Sequence, residues 1–348
     1  MKHALLLLTL ASSALLCSMT PSTAVADPLL LPAKSSHLAE RGLINGLARA
    51  GDKRFVAVGQ RGHILYSDDG GMQWHQAEVP VSSDLTAVQF VNAQTGYAVG
   101  HDGVVLGSRD GGKSWRKLLD GRVVNALVLR ELEAAGGSAE LLAEAHRNVE
   151  AGPDKPLLDL FFTSADEGFV VGAYNLILHT DDGGKTWHSW FDRVDNPRLL
   201  NLYSIRKQGD AFYIAGEGGL LLRLAAGGQR FEALESPYKG SFFGLLPTSQ
   251  GILAYGMRGN AFLSTDQGKS WQTLATGLSA SITAADIGPG NRVLLIDQSG
   301  RLSMSRDGGQ RFTPLRPRAT QPPAAAVLLG GERLIVVAGP RGLRTSEL

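Results

Sequence analysis

One cysteine in 348 residues excludes disulfides, thiolate metal sites and a cysteine nucleophile, because that residue, Cys17, lies in a segment expected to be removed. Beyond that segment no apolar run approaches the roughly 20 residues that a membrane-spanning helix requires. A formal charge of +1 provides no overall field for nucleic acid or an anionic membrane. Aromatic residues are only 7% of the chain, so the regular spacing at which they recur is informative. What the chain has in quantity is glycine, 43 residues, and these fall at repeating intervals.

The first 26 residues read as a cleavable export signal. Lys2 and His3 give a basic start, Ala4 to Leu16 an apolar run, and Ala24-Val25-Ala26 the small-x-small pattern cut by signal peptidase. A lipoprotein alternative would acylate Cys17, but Leu16 before it is a poor fit. Residues 27–348 are then expected to form a soluble domain in an exported compartment, the periplasm, with no membrane span of its own.

Self-similarity dominates this domain. The unit runs apolar-x-apolar-Gly, a short turn with a second Gly, an apolar stretch, Ser/Thr-x-Asp-x-Gly, and an aromatic. One copy has Phe55 to Gly59, Gly62, Ser67, Asp69, Gly71 and Trp74; others place the boxes at Asp110, Asp182, Asp266 and Asp307. A fourth copy is eroded, with Leu224 and Ala226 replacing Ser and Asp, and a seventh begins at Leu334. The aromatic anchors fall at Trp74, Trp115, Trp187, Phe231, Trp271 and Phe312, about 41 residues apart apart from one extra stretch of about 31. Units of this length, with four short strands between Gly, Asp and Asn turns, predict an all-β, seven-bladed β-propeller. Because Leu29-Leu30-Leu31-Pro32 resembles Ala77-Glu78-Val79-Pro80, residues 28–33 are expected to supply the outer strand closing blade 7.

The extra residues, 119–155, predict a helical insertion between blades 2 and 3. Val123 to Leu132 and Ala139 to Val149 carry apolar residues at three- and four-residue steps. Such a hairpin must bury its apolar stripe, either against a partner, the favoured reading, or over the blade rim.

The Asp-box is a fold signal: Asp and Ser bond backbone amides within their own hairpin, and the Trp packs between blades. Asp69, Asp110, Asp182, Asp266 and Asp307 are therefore expected to be structural, and too far apart to share a metal ion. The opposite face carries the turns between second and third strands. In register these present Arg61, Asp102, Tyr174, Gly218, Arg258, Ser299 and Arg341, with His101 beside Asp102. Arg41, Arg198 and Lys239 lead into innermost strands on the same face. The result is a local basic arc suited to a carboxylate or an acidic peptide; its bland counterpart is a set of solvated turns. Asn45, Thr86, Asp159 and Asn201 are expected to line the channel, Asp159 in a run apolar enough to demand a partner.

The five Ser/Thr-x-Asp-x-Gly-x-x-Trp/Phe copies resemble Asp-box (BNR) repeat propellers. Stretches such as Thr95 to Gly100 and Asp110 to Trp115 resemble the photosystem II stability/assembly factor family most. That resemblance implies a non-catalytic helper without cofactor or metal, binding a membrane-protein complex through a basic patch. For non-photosynthetic bacterial members it implies association with exporters of the RND superfamily, and the insertion and eroded blade 4 turn the expectation from a photosystem to such a transporter. Asp-box propellers also include glycan-binding modules and sialidases. Arg61, Arg258 and Arg341 imitate an arginine triad, but Tyr174 and Glu217 are not evidently paired as nucleophile and helper, and Asp102, Asp159 and Glu217 are candidates without supporting context for the two carboxylates that a retaining or inverting glycosidase needs across one cleft.

Overall fold

Each repeat can pair its four strands into a sheet but cannot bury that sheet's two faces alone, so the repeats stack radially. The computed structural model describes residues 26–315, 326–330 and 334–348; the segment read as a leader, residues 1–25, lies outside the described residues. Seven antiparallel sheets follow one another along the chain, spanning 44–76, 85–119, 157–189, 202–233, 242–273, 282–314 and 326–347. Among the described residues the first six have four strands and the seventh has three. This is the expected seven-bladed propeller.

Burial follows strand position. The second strands, such as Phe55–Gly59, Gly96–Gly100 and Gly168–Gly172, are buried at every residue, because a neighbouring blade covers each face; they therefore read as continuous apolar runs. The innermost strand Ile44–Arg49 alternates buried and half-buried residues, one set packing between blades and the other facing the channel. Trp115, Trp187 and Phe231 are buried at the rim, where the repeat places its aromatic.

The insertion forms helix α1, Gly121–Ala134, and helix α2, Ala139–Ala151. The Asp120 carboxylate accepts from the Arg122 amide at 3.1 Å and the Ser138 hydroxyl from the Leu141 amide at 3.3 Å, capping the two N-termini. The apolar stripe is not left for a partner. Val124, Leu127, Val128 and Leu132 are buried with Tyr97, Leu176, Leu178, Trp187 and Phe191, and Glu131 accepts from the Ser189 amide at 2.6 Å. The hairpin thus seals the flank of blade 3, which corrects the expectation that it docks through that stripe.

The N-terminal segment also takes another path than expected. Residues 28–33 form no strand and do not join blade 7. The Ala33 amide donates to Val79 O at 3.0 Å and the Ser82 amide to Pro28 O at 2.8 Å, so the segment runs beside the outer part of blade 1. Leu29 is buried with Val79, Val81, Val104 and Trp115, and Asp27 pairs with Arg122 at 2.5 Å. The likeness to Ala77–Pro80 reflects a shared need for apolar cover, which the crevice between blades 1 and 2 supplies.

Blade 7 instead meets blade 1 as any blade meets the next. A Cβ on Gly342 would lie 2.1 Å from Glu40 O, and one on Gly62 would lie 2.1 Å from Val81 O. Each glycine lets its turn sit against the lead-in of the following blade.

Leu29→Ala is expected to lower the unfolding free energy by about 2–5 kcal/mol. Leu30→Ala, at a residue 70% exposed, should change it by less than about 0.5 kcal/mol. Urea denaturation of both variants checks this; equal effects would place Leu29 outside the core.

Candidate docking face

The Asp-box carboxylates are satisfied within their own hairpins. In blade 1 the Ser67 hydroxyl donates to Asp69 Oδ1 at 2.7 Å and accepts from the Gly71 amide at 2.8 Å. Asp69 Oδ1 in turn accepts from the Met72 and Gln73 amides at 2.9 and 3.0 Å. The same hairpin recurs around Asp110, Asp182, Asp266 and Asp307. Hydrogen bonds to the charged form favour it. The Thr186 hydroxyl and amide hold Asp182 down to about 2, and Ser270 does the same for Asp266, also to about 2. Each carboxylate is committed to its own turn. Among the described residues no cluster of three His, Cys, Asp or Glu could hold a metal ion.

The opposite face is built from one repeated turn. Arg61, Asp102, Tyr174, Gly218 and Arg258 share a left-handed conformation, with φ of 55°, 58°, 53°, 60° and 58°. The next blade fastens most of these turns. The Arg61 amide donates to Asp84 at 2.7 Å, Tyr174 to Asn201 at 2.9 Å, Gly218 to Ser241 at 3.2 Å and Arg258 to Ser281 at 3.4 Å. Blade 6 differs: buried Asp297 accepts from the Ser299 amide and hydroxyl at 2.9 and 2.6 Å. Gly218 shows that glycine suits this turn. A left-handed arginine or tyrosine costs on the order of 1 kcal/mol relative to it.

Side chains divide this face. Arg258 stands on blade 5, Arg341 on blade 7 and Arg61 on blade 1, and Gly342 packs against the Arg41 backbone at the seam. All four arginines are exposed. Among the described residues no carboxylate lies within ion-pair distance of them, whereas Arg49, Arg54 and Arg206 are all paired. Arg301 fills blade 6: it bonds Ser279 at 3.0 Å, and its guanidinium lies 3.4 Å from Asp297. It was missed because it sits two residues past the turn position used for register. On blade 6 the arc therefore passes through a guanidinium already paired with Asp297, between the arginines of blades 5, 7 and 1 that form no such pair.

The remaining sequence candidates fall elsewhere on the ring. Arg198 and Lys239 are exposed near the lead-ins of blades 4 and 5, and His101 is exposed on blade 2. Asp102 accepts from the Ser83 hydroxyl at 2.6 Å, so it belongs partly to the turn. Tyr174 is 58% exposed with Lys155 5.4 Å above its ring; Lys155 was also missed, since nothing in the repeat marks it.

The channel holds a cavity of about 190 Å³ lined by Asn45, Thr86, Asp159, Tyr203, Arg206 and Phe243 among others. Asp159 has its partners: the Ile205 amide at 2.9 Å and Arg206 at 2.6 Å. Asn201 is a correction. It accepts from Tyr174 and donates to Glu217 at 2.9 Å, so it fastens the blade 3 turn, and Tyr203 lines the channel for blade 4.

This chain resembles known proteins in both sequence and shape. Residues 36–128 and 138–273 match the family described as photosynthesis system II assembly factor YCF48. The photosystem II assembly lipoprotein Ycf48 of Synechococcus sp. (strain CC9902) is 31% identical over 129 residues, 36% of this chain and 38% of that protein. The chloroplastic photosystem II stability/assembly factor HCF136 of Oryza sativa subsp. japonica is 38% identical over 68 residues, 19% of this chain and 16% of that one. The matches thus span little more than a third of the first relative's length and less of the second's. A solved structure titled YCF48 bound to D1 peptide superposes with a TM-score of 0.66 at 16% identity, covering 91% of this chain and 99% of that one.

Asp266 titrates near 2 in the fold against 3.8 unfolded. Its contribution to stability is therefore present above about pH 4 and lost as pH falls toward 2. Asp266→Asn should lower the melting temperature at pH 7 and flatten its fall between pH 4 and 2. An unchanged pH profile in thermal unfolding would contradict the hairpin's role.

Proposed function

We propose, for a chain that belongs to the photosynthesis system II assembly factor YCF48 family, a non-catalytic docking role: the arc on blades 5, 6, 7 and 1 holds an acidic segment of a membrane-protein partner. One observation carries this reading. Arg61 and Arg258 occupy left-handed positions that glycine fills without strain, and their exposed guanidinium groups form no ion pair with a carboxylate among the described residues. Residues kept in a strained conformation with their charge turned outward fit selection for contact rather than for folding. Arginine pairs with carboxylates in bidentate geometry, so an acidic peptide or chain terminus is the chemistry the arc fits.

The comparisons support the kind of partner. A relative of this fold was solved with a peptide of D1, and the curated relatives are assembly factors. No helix among the described residues is long and apolar enough to cross a membrane, so in this reading the chain docks from outside the bilayer. With the export signal read from residues 1–26, we place it in the periplasm. There an inner-membrane transporter of the RND superfamily is the partner to test first. Catalysis has no part in this reading: the three arginines proposed as a sialidase-like triad stand on blades 1, 5 and 7, and Tyr174 stands on blade 3.

The double variant Arg61→Gly/Arg258→Gly separates fold from function. Its melting temperature should be equal to or above the parent's, since glycine relieves the left-handed strain. Co-purification of the transporter from detergent-solubilised membranes should fall at least about tenfold, roughly 1.4 kcal/mol, and parent capture should weaken with added salt. Undiminished capture by the double variant would overturn the assignment.

A further inference from the structure

The Asp-box face carries a cleft of about 500 Å³ between blades 4 and 5, on the side away from the arginine arc. The eroded hairpin of blade 4 makes it. Leu224 and Ala226 stand where the other boxes carry Ser or Thr and Asp, and Ala226 lines the cleft where a self-bonded carboxylate would otherwise sit.

One residue in this cleft is placed against local preference. Gln267 adopts φ 65°, whereas the same box position is Gly70, Gly111, Gly183 and Gly308 in the other four hairpins, at φ 74° to 79°. Its side chain crosses the cleft, and Oε1 accepts from an Arg223 guanidinium N–H at 2.8 Å. Arg223 Nε donates to the Tyr213 hydroxyl at 3.3 Å. Both partners are neutral, so this positioned cation has no compensating carboxylate within ion-pair distance among the described residues. Arg54, by contrast, lies 2.5 Å from Asp68.

The geometry points to a ligand site for a carboxylate carried on a polyhydroxylated frame, a sugar acid of monosaccharide to disaccharide size. Arg223 would take the carboxylate, held in orientation by Gln267 and Tyr213. Asp210, Gln208 and Gln250 also line the cleft. They supply acceptors and donors for hydroxyl groups, which a bare anion such as sulfate or acetate lacks. A concave site with a few convergent polar groups on rigid blades is the usual form of a small-molecule pocket. This site is independent of the docking reading, sharing neither residues nor face with it.

Calorimetric titration of the full chain with D-galacturonate, D-galactose, acetate and sulfate tests it. Galacturonate should bind saturably, with galactose, acetate and sulfate at least about tenfold weaker. Arg223→Met and Gln267→Gly should each abolish galacturonate binding. Gln267→Gly installs the residue used by the other four boxes, so its fold, checked by melting temperature, should be retained, as should its capture of the membrane partner. No binding of galacturonate, equal binding of sulfate, or undiminished binding in folded Gln267→Gly would each overturn the assignment.

Discussion

Everything on the surface of this ring depends on how the innermost strands are joined around the channel. A propeller leaves each sheet with an inner edge of backbone groups that no further strand can pair. Here side chains of adjoining blades satisfy them at every junction. Asn45 donates to Leu85 O at 2.8 Å, Thr86 to Leu157 O at 2.7 Å, and the Ile205, Leu245 and Leu329 amides donate to Asp159, Ser204 and Asp286. Tyr255, pushed up to about 12 by its burial, meets the Ala285 amide, and Arg49 closes the seam through Asp286 and Leu329 O at 2.6 Å. The ring is thus closed by side chains meeting backbone, with no exchanged strand among the described residues.

That closure fixes the second-to-third-strand turns at regular steps, and the two faces then differ in how their polar groups are used. On one face the Asp-box carboxylates bond their own hairpins and are unavailable to anything else. On the other, backbone amides are fastened blade to blade while the side chains of Arg41, Arg61, Arg258 and Arg341 are left to solvent. Function fits where the local rules are broken: left-handed arginines on one face, and a left-handed glutamine beside an eroded box on the other.

The repeat was legible because its period, glycines and box residues act locally, each hairpin being specified within about eight residues. The two helices were legible from their apolar steps, though α1 begins at Gly121 rather than Val123, since the Asp120 cap and not the first apolar residue sets its start. Partner choice was not legible. The stripe of Val124, Leu127, Val128 and Leu132 reads the same whether it meets blade 3 or another protein. Leu29 could pair with any apolar crevice, and only the three-dimensional path selects the one between blades 1 and 2. The innermost strand of blade 4 begins at Leu202, so the position that corresponds to Asn45 in Ile44–Arg49 is Tyr203, and Asn201 belongs to the lead-in before the strand.

The proposed docking assigns the arginine face of the ring, and not the Asp-box face, to a membrane-protein partner. Photo-crosslinking residues placed in living cells at positions 61, 258 and 341, and at positions 73, 185 and 269 on the Asp-box face, test it most directly. Adducts to a single inner-membrane protein are expected from the first three positions and none from the second three. Adducts to that protein from the Asp-box face, or none from the arginine face, would contradict it.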